Sequence, residues 1–95
     1  MSLEEIAAKM QRGLDKVELD KVIKFDCKDS GAITLVDQKA ELADLPADCT
    51  IHLSESNLSK LIKGDLNPMT AFALGKIKVS GDMTVAMKLG EFLKS

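Results

Sequence analysis

Apolar and polar positions along this chain alternate between two periods, near 3.6 and 2, and the switches mark its elements. Leu3, Ile6, Ala7, Met10 and Leu14 recur at helical spacing behind Ser2, with Glu5 three residues on as a capping box and Gly13 as the stop. Residues 21–27 alternate, with Ile23, Phe25 and Cys27 on one face and Lys24 and Asp26 on the other. Asp29-Ser30-Gly31 is a turn signal, and Ile33 and Leu35 continue as a second strand, so the pair reads as a hairpin. Residues 38–45 are ambiguous, a weak third strand through Leu42 and Leu45 that ends at Pro46. Cys49, Ile51 and Leu53 alternate with Thr50 and His52. Ser54 then caps a helix with Leu58, Leu61 and Ile62 on its buried side and Gly64 as its stop. Asn67-Pro68 opens another helix, with Met69, Phe72 and Ala73 facing inward and Gly75 at its end. Ile77 and Val79 form a last strand, and Gly81-Asp82 turns into a final helix.

That final helix is apolar around most of its circumference. Thr84, Lys88, Glu91 and Ser95 make a narrow polar stripe, and Met83, Val85, Ala86, Met87, Leu89, Phe92 and Leu93 cover the rest. Such a helix is wedged between two apolar surfaces or sits over an apolar hole. The order of elements predicts an α+β fold: one mainly antiparallel sheet of about five strands, covered on one face by helices. Ninety-five residues make one domain, residues 1–95.

Composition narrows the function by exclusion. A net charge of −2 and three aromatics, Phe25, Phe72 and Phe92, argue against nucleic acid as a partner. The charge is uneven: residues 1–59 carry a net −5 and residues 60–95 a net +3. Lys60, Lys63, Lys76, Lys78, Lys88 and Lys94 could bring the C-terminal part to an anionic membrane surface, although lysines so spaced also suit an ordinary solvated face. Cys27 and Cys49 lie at no metal or redox spacing and read as small buried residues in a reducing compartment. With no secretion signal, the expected localisation is cytoplasmic. His52, the only histidine, has no triad spacing around it, and no metal or cofactor is expected. Nothing in the chain points to an enzyme.

The stretch from Gly64 to Leu89 resembles the sterol carrier protein 2 family. The matching pieces are Gly64-x-Leu66-Asn67-Pro68, Ala71-Phe72, Gly75-Lys76-Ile77-Lys78-Val79, Gly81-Asp82-Met83 and Ala86-Met87-Lys88-Leu89, with Ala47-Asp48-Cys49-Thr50-Ile51 upstream. The match is clear over roughly residues 47 to 93; residues 1–46 agree only in the order of elements. The resemblance implies a short stand-alone, bacterial type of member that holds a sterol, fatty acid or acyl-CoA-type lipid in an apolar tunnel, without covalent chemistry. By pattern alone Met69, Met83 and Met87 are core filler; with the resemblance they become pocket lining. The expected lining is Phe25, Leu58, Ile62, Met69, Phe72, Met83, Met87, Phe92 and Leu93, with Lys76, Lys78 or Lys88 meeting an anionic headgroup. The rival readings are a protein-interaction module and an accessory domain that presents substrate to a lipid-metabolising enzyme.

Overall fold

A computed structural model describes residues 2–87 of the chain. The first helix, α1 (Leu3–Leu14), begins with the expected capping box: the Glu5 N–H donates to Ser2 Oγ and the Ser2 N–H to the Glu5 carboxylate. Those bonds hold the Glu5 carboxyl below the usual carboxylate range, the Ser2 backbone bond being the larger cause. The helix does not stop at Gly13. It runs on to Leu14, because burying that side chain offsets the glycine's weak helix propensity.

Five strands follow: β1 (Ile23–Asp26), β2 (Ala32–Val36), β3 (Lys39–Glu41), β4 (Cys49–His52) and, after two helices, β5 (Lys78–Gly81). A 3-10 turn, Lys28–Ser30, links β1 to β2. The helices are α2 (Glu55–Lys63) and α3 (Pro68–Ala73), and residues 83–87 are also helical, labelled α4. The sheet order is β3-β2-β1-β4-β5. Three of its pairings are antiparallel, and β1–β4 at the centre is parallel, Ile23 opposite Cys49 and Asp26 opposite His52.

The alternation assigned to β1 and β4 is the observed one. Ile23, Phe25, Cys27, Cys49, Ile51 and Leu53 are buried, and with Ile33 and Leu35 they form one core with α1, α2, Ala71, Ile77 and Val85. α1 lies against β2, β3 and α2.

The ambiguous stretch resolves into the short edge strand β3 and a loop. Leu42 and Leu45 are exposed rather than part of a strand. The loop is held by Thr34, which is fully buried: its hydroxyl donates to Ala43 O at 2.7 Å and accepts from Leu45 N at 3.3 Å. The β2–β3 turn uses Asp37 and Gln38, both at positive φ. Gln38 is held there from both sides. Its amide donates to Leu14 O and Val17 O, its side-chain oxygen accepts from Leu19 N, and its carbonyl accepts from the Gln11 side chain. These bonds outweigh the cost of a left-handed residue without glycine.

Candidate functional site

The structure divides the expected lining residues into three groups. Phe25 and Leu58 are fully buried in the core, and Ile62 is half-buried against it. Phe72 and Met83 are 43% and 49% exposed, and Met69 and Met87 are both 80% exposed. Phe92 and Leu93 lie outside the described residues, as does Lys88.

Met69, Phe72 and Ala73 do not face inward as the pattern of α3 predicts. The inward residue is Ala71, fully buried. The local reason is the brevity of the helix. Asn67 Oδ1 accepts from the N–H groups of Met69 and Thr70, Pro68 occupies the first turn, and only six residues follow from Pro68 to Ala73. One small side chain lets so short a helix approach the core closely, and Met69, 200° around from Ala71, must point away. α4 repeats this arrangement: Val85 is buried, while Met83 and Met87, one turn apart, are exposed.

Other apolar residues of the same segment are exposed or half-buried. Leu74, which caps α3, is 65% exposed. Leu66, Val79 and Ala86, like Ile62, are half-buried and pack on the core. Leu66 and Leu74 sit in connections rather than elements, so a helical template passes over them. Ile62, Leu66, Val79 and Ala86, partly buried on the core, and the exposed Phe72, Leu74 and Met83 all lie on the segment running from α2 to α4, and together they are termed its apolar rim.

A cleft of about 570 Å³ opens at the carboxyl ends of the parallel strands β1 and β4. Its lining includes Cys27, Leu53, His52, Lys28, Asp29, Glu55, Lys76 and Lys78, and none of the nine residues expected to line an acyl site. His52 Nε2 lies 3.1 Å from Ser80 Oγ, and its Nδ1 lies 3.5 Å from the Asp26 carboxylate. Among the described residues no group of three His, Cys, Asp or Glu side chains could hold a metal ion. No described helix is long and apolar enough to cross a membrane.

Both cysteines are free and buried. Burial, with Glu55 and Asp26 adding to it, pushes the Cys27 thiol up to about 11, and burial also raises Cys49. Iodoacetamide at about pH 8 should therefore label both slowly in native protein and rapidly in urea. Rapid native labelling of Cys27 would contradict its placement. The raised value also sets a pH trend. The folded thiol keeps its proton above the ordinary 9.0, where the unfolded thiol loses it, so stability present below pH 9.0 should decline toward pH 11. Cys27→Ala should flatten that slope.

Known proteins agree with this architecture. The model of the SCP-2 sterol transfer family matches residues 3–94. Bovine sterol carrier protein 2 is 51% identical over 47 residues, 50% of this chain and 9% of the bovine protein. Mouse stomatin-like protein 1 is 38% identical over 48 residues, 50% of this chain and 12% of the mouse protein. The shared segment is thus a small part of either relative. In three dimensions, sterol carrier protein 2 of Aedes aegypti in complex with palmitate superposes with a TM-score of 0.80 at 24% identity, over 98% of this chain and 96% of that one. UbiJ-SCP2, a ubiquinone synthesis protein, superposes with a TM-score of 0.71 at 22% identity, over 96% of this chain and 91% of that one. At these identities the superpositions establish the fold.

Proposed function

The chain belongs to the SCP-2 sterol transfer family, and from that premise we propose that it binds and carries lipids non-covalently, without catalysing a reaction. The observation that carries this reading is the apolar rim. Ile62, Leu66, Val79 and Ala86 pack on the core only partly, and Phe72, Leu74 and Met83 stand exposed on the same segment of chain. An acyl chain laid between the sheet and α3 and α4 would cover what the protein itself leaves open. Phe25 and Leu58 would form the floor, and the methionines would adapt to chains of different shape. The Aedes aegypti relative was solved with palmitate, a ligand of the chemistry this rim suits.

The energetics suit an acyl chain. Fourteen methylenes at about 0.8 kcal/mol each give about 11 kcal/mol, and about 4 kcal/mol of association cost leaves a Kd of about 10 μM. Each added methylene should tighten binding about fourfold until the site is full. Displacement of a fluorescent fatty acid by octanoate through hexadecanoate tests this. A steady gain is expected, and a flat series would remove the acyl-chain reading. Transient contact with an anionic membrane through the exposed lysines would serve loading and delivery, in a reducing compartment such as the cytoplasm.

A second reading has its own observation: Met69, Leu74 and Met87 are exposed enough to dock a partner protein. The protein would then present its lipid to an enzyme. Ligand transfer to acceptor vesicles in the absence of any other protein argues against a requirement for such a partner.

A further inference from the structure

The described sulfur atoms of this chain divide by burial into two groups. Met10 is 1% exposed, and Cys27 and Cys49 are buried in the same core. Met69 and Met87 are 80% exposed, and Met83 is exposed by about half. The groups also divide by place. The buried sulfurs stand on α1, just past the end of β1 and on β4, whereas all three exposed ones stand on α3 and α4.

Exposure and protonation decide which sulfur a peroxide reaches. A thiol reacts as its thiolate, and both thiols are buried and hold their protons, Cys27 up to about 11. A thioether has no proton to lose, so an exposed methionine offers its sulfur lone pair at any pH near neutrality. That lone pair attacks the peroxide. An S–O bond forms and the O–O bond breaks, the sulfur loses two electrons, and hydrogen peroxide leaves as water.

The resulting sulfoxide suits the empty protein and not the loaded one. On an exposed side chain it stays in water and leaves the fold alone, because Met10, the one core methionine among the described residues, is out of reach. Under a bound acyl chain it would shed that water, and an alkyl chain offers no hydrogen bond in return. Met83 and Met87 lie one turn apart on α4, so two sulfoxides fall on one side of that helix.

We propose that Met69, Met83 and Met87 are a peroxide-sensitive modification site, whose oxidation to methionine sulfoxide releases the carried lipid and whose reduction restores binding. In the reverse step a thiol-dependent sulfoxide reductase returns the oxygen to water while two thiols become a disulfide. This inference rests on the acyl-chain reading, because a sulfoxide weakens binding only where a ligand covers it.

The test treats lipid-free protein with hydrogen peroxide near neutral pH and quenches with catalase. Peptide mass mapping, a urea melt and displacement of a fluorescent fatty acid by hexadecanoate then read the product. One added oxygen is expected on each of Met69, Met83 and Met87 and none on Met10. The urea midpoint should not move, and hexadecanoate binding should weaken at least about tenfold. Methionine sulfoxide reductases for both epimers, with dithiothreitol, should restore it. The triple variant Met69→Leu, Met83→Leu, Met87→Leu removes all three exposed thioethers. Whatever its own affinity, peroxide should leave that affinity unchanged. Protein oxidised at all three positions that binds hexadecanoate as untreated protein does overturns the switch and leaves the lipid-binding reading standing. An equal loss in the triple variant overturns it too, by placing the effect on another residue. Untreated protein that binds no hexadecanoate removes the acyl-chain reading itself, and the switch with it.

Discussion

Gly81→Ala is expected to destabilise the protein by about 3 kcal/mol or more, the combined effect of a left-handed backbone and a clash with main chain. Gly81 has φ +97°, and a Cβ placed on it would lie 2.4 Å from Asp48 O and 3.1 Å from Cys49 Cα. These are backbone atoms and cannot swing aside as a side chain can. They also cannot shift without consequence. Asp48 O accepts from Asp82 N at 2.9 Å, the Asp48 carboxylate accepts from Val22 N at 2.8 Å, and the N–H groups of Asp48 and Cys49 both donate to Val22 O. Moving Asp48 therefore disturbs the start of β1, the start of β4 and the end of β5 together. Gly64→Ala is the control. Gly64 also has positive φ, +82° at the end of α2, but no atom lies within 4 Å of its would-be Cβ. It should cost about 1 kcal/mol. Urea denaturation of the two variants checks the difference. Equal shifts would show that β5 does not approach β4 this closely.

Ala86→Trp should abolish most acyl-chain binding while the protein stays folded. Ala86 is half-buried on the rim, between buried Val85 and exposed Met87 on α4. An indole there takes the room of about three methylenes of ligand, about 2.4 kcal/mol, or a loss of more than tenfold in affinity. If that room is ligand space, the side chain has somewhere to go and stability changes by less than about 1 kcal/mol. If it is packed protein, overpacking costs about 1–3 kcal/mol and the melt moves. The two outcomes separate on one pair of measurements, urea midpoint and ligand displacement. A variant that folds and binds as the parent does would place the site away from α4.

Reading this chain succeeds where the physics is local. The caps at Ser2, Ser54 and Asn67 satisfy N–H groups within three residues, and Gly64 closes α2 in the left-handed conformation that glycine adopts freely. The inward faces of β1 and β4 follow from a two-residue alternation, and the motif from Gly64 to Leu89 points to the family. The candidate lining is less legible. Phe25 and Leu58 are apolar at every level and are buried, but the pattern of α3 cannot say which of its apolar residues faces in. In a six-residue helix, neighbours choose Ala71 over Met69 and Phe72.

What the sequence by itself determined is the order and type of most elements, the buried sides of β1, β2 and β4 and the kinship of the C-terminal half, because each depends on residues a few positions apart. Only the tertiary structure decided the rest. The parallel pairing of β1 with β4 joins segments about 26 residues apart, as Ile23 with Cys49. The left-handed turn at Asp37 and Gln38 carries no turn-forming glycine and is held by bonds to Gln11, Leu14, Val17 and Leu19. The cleft brings Lys28 of the β1–β2 connection, Glu55 of the first turn of α2 and Lys76 of the α3–β5 connection to one space. Each of these depends on contacts between distant segments, whose energies no local window contains.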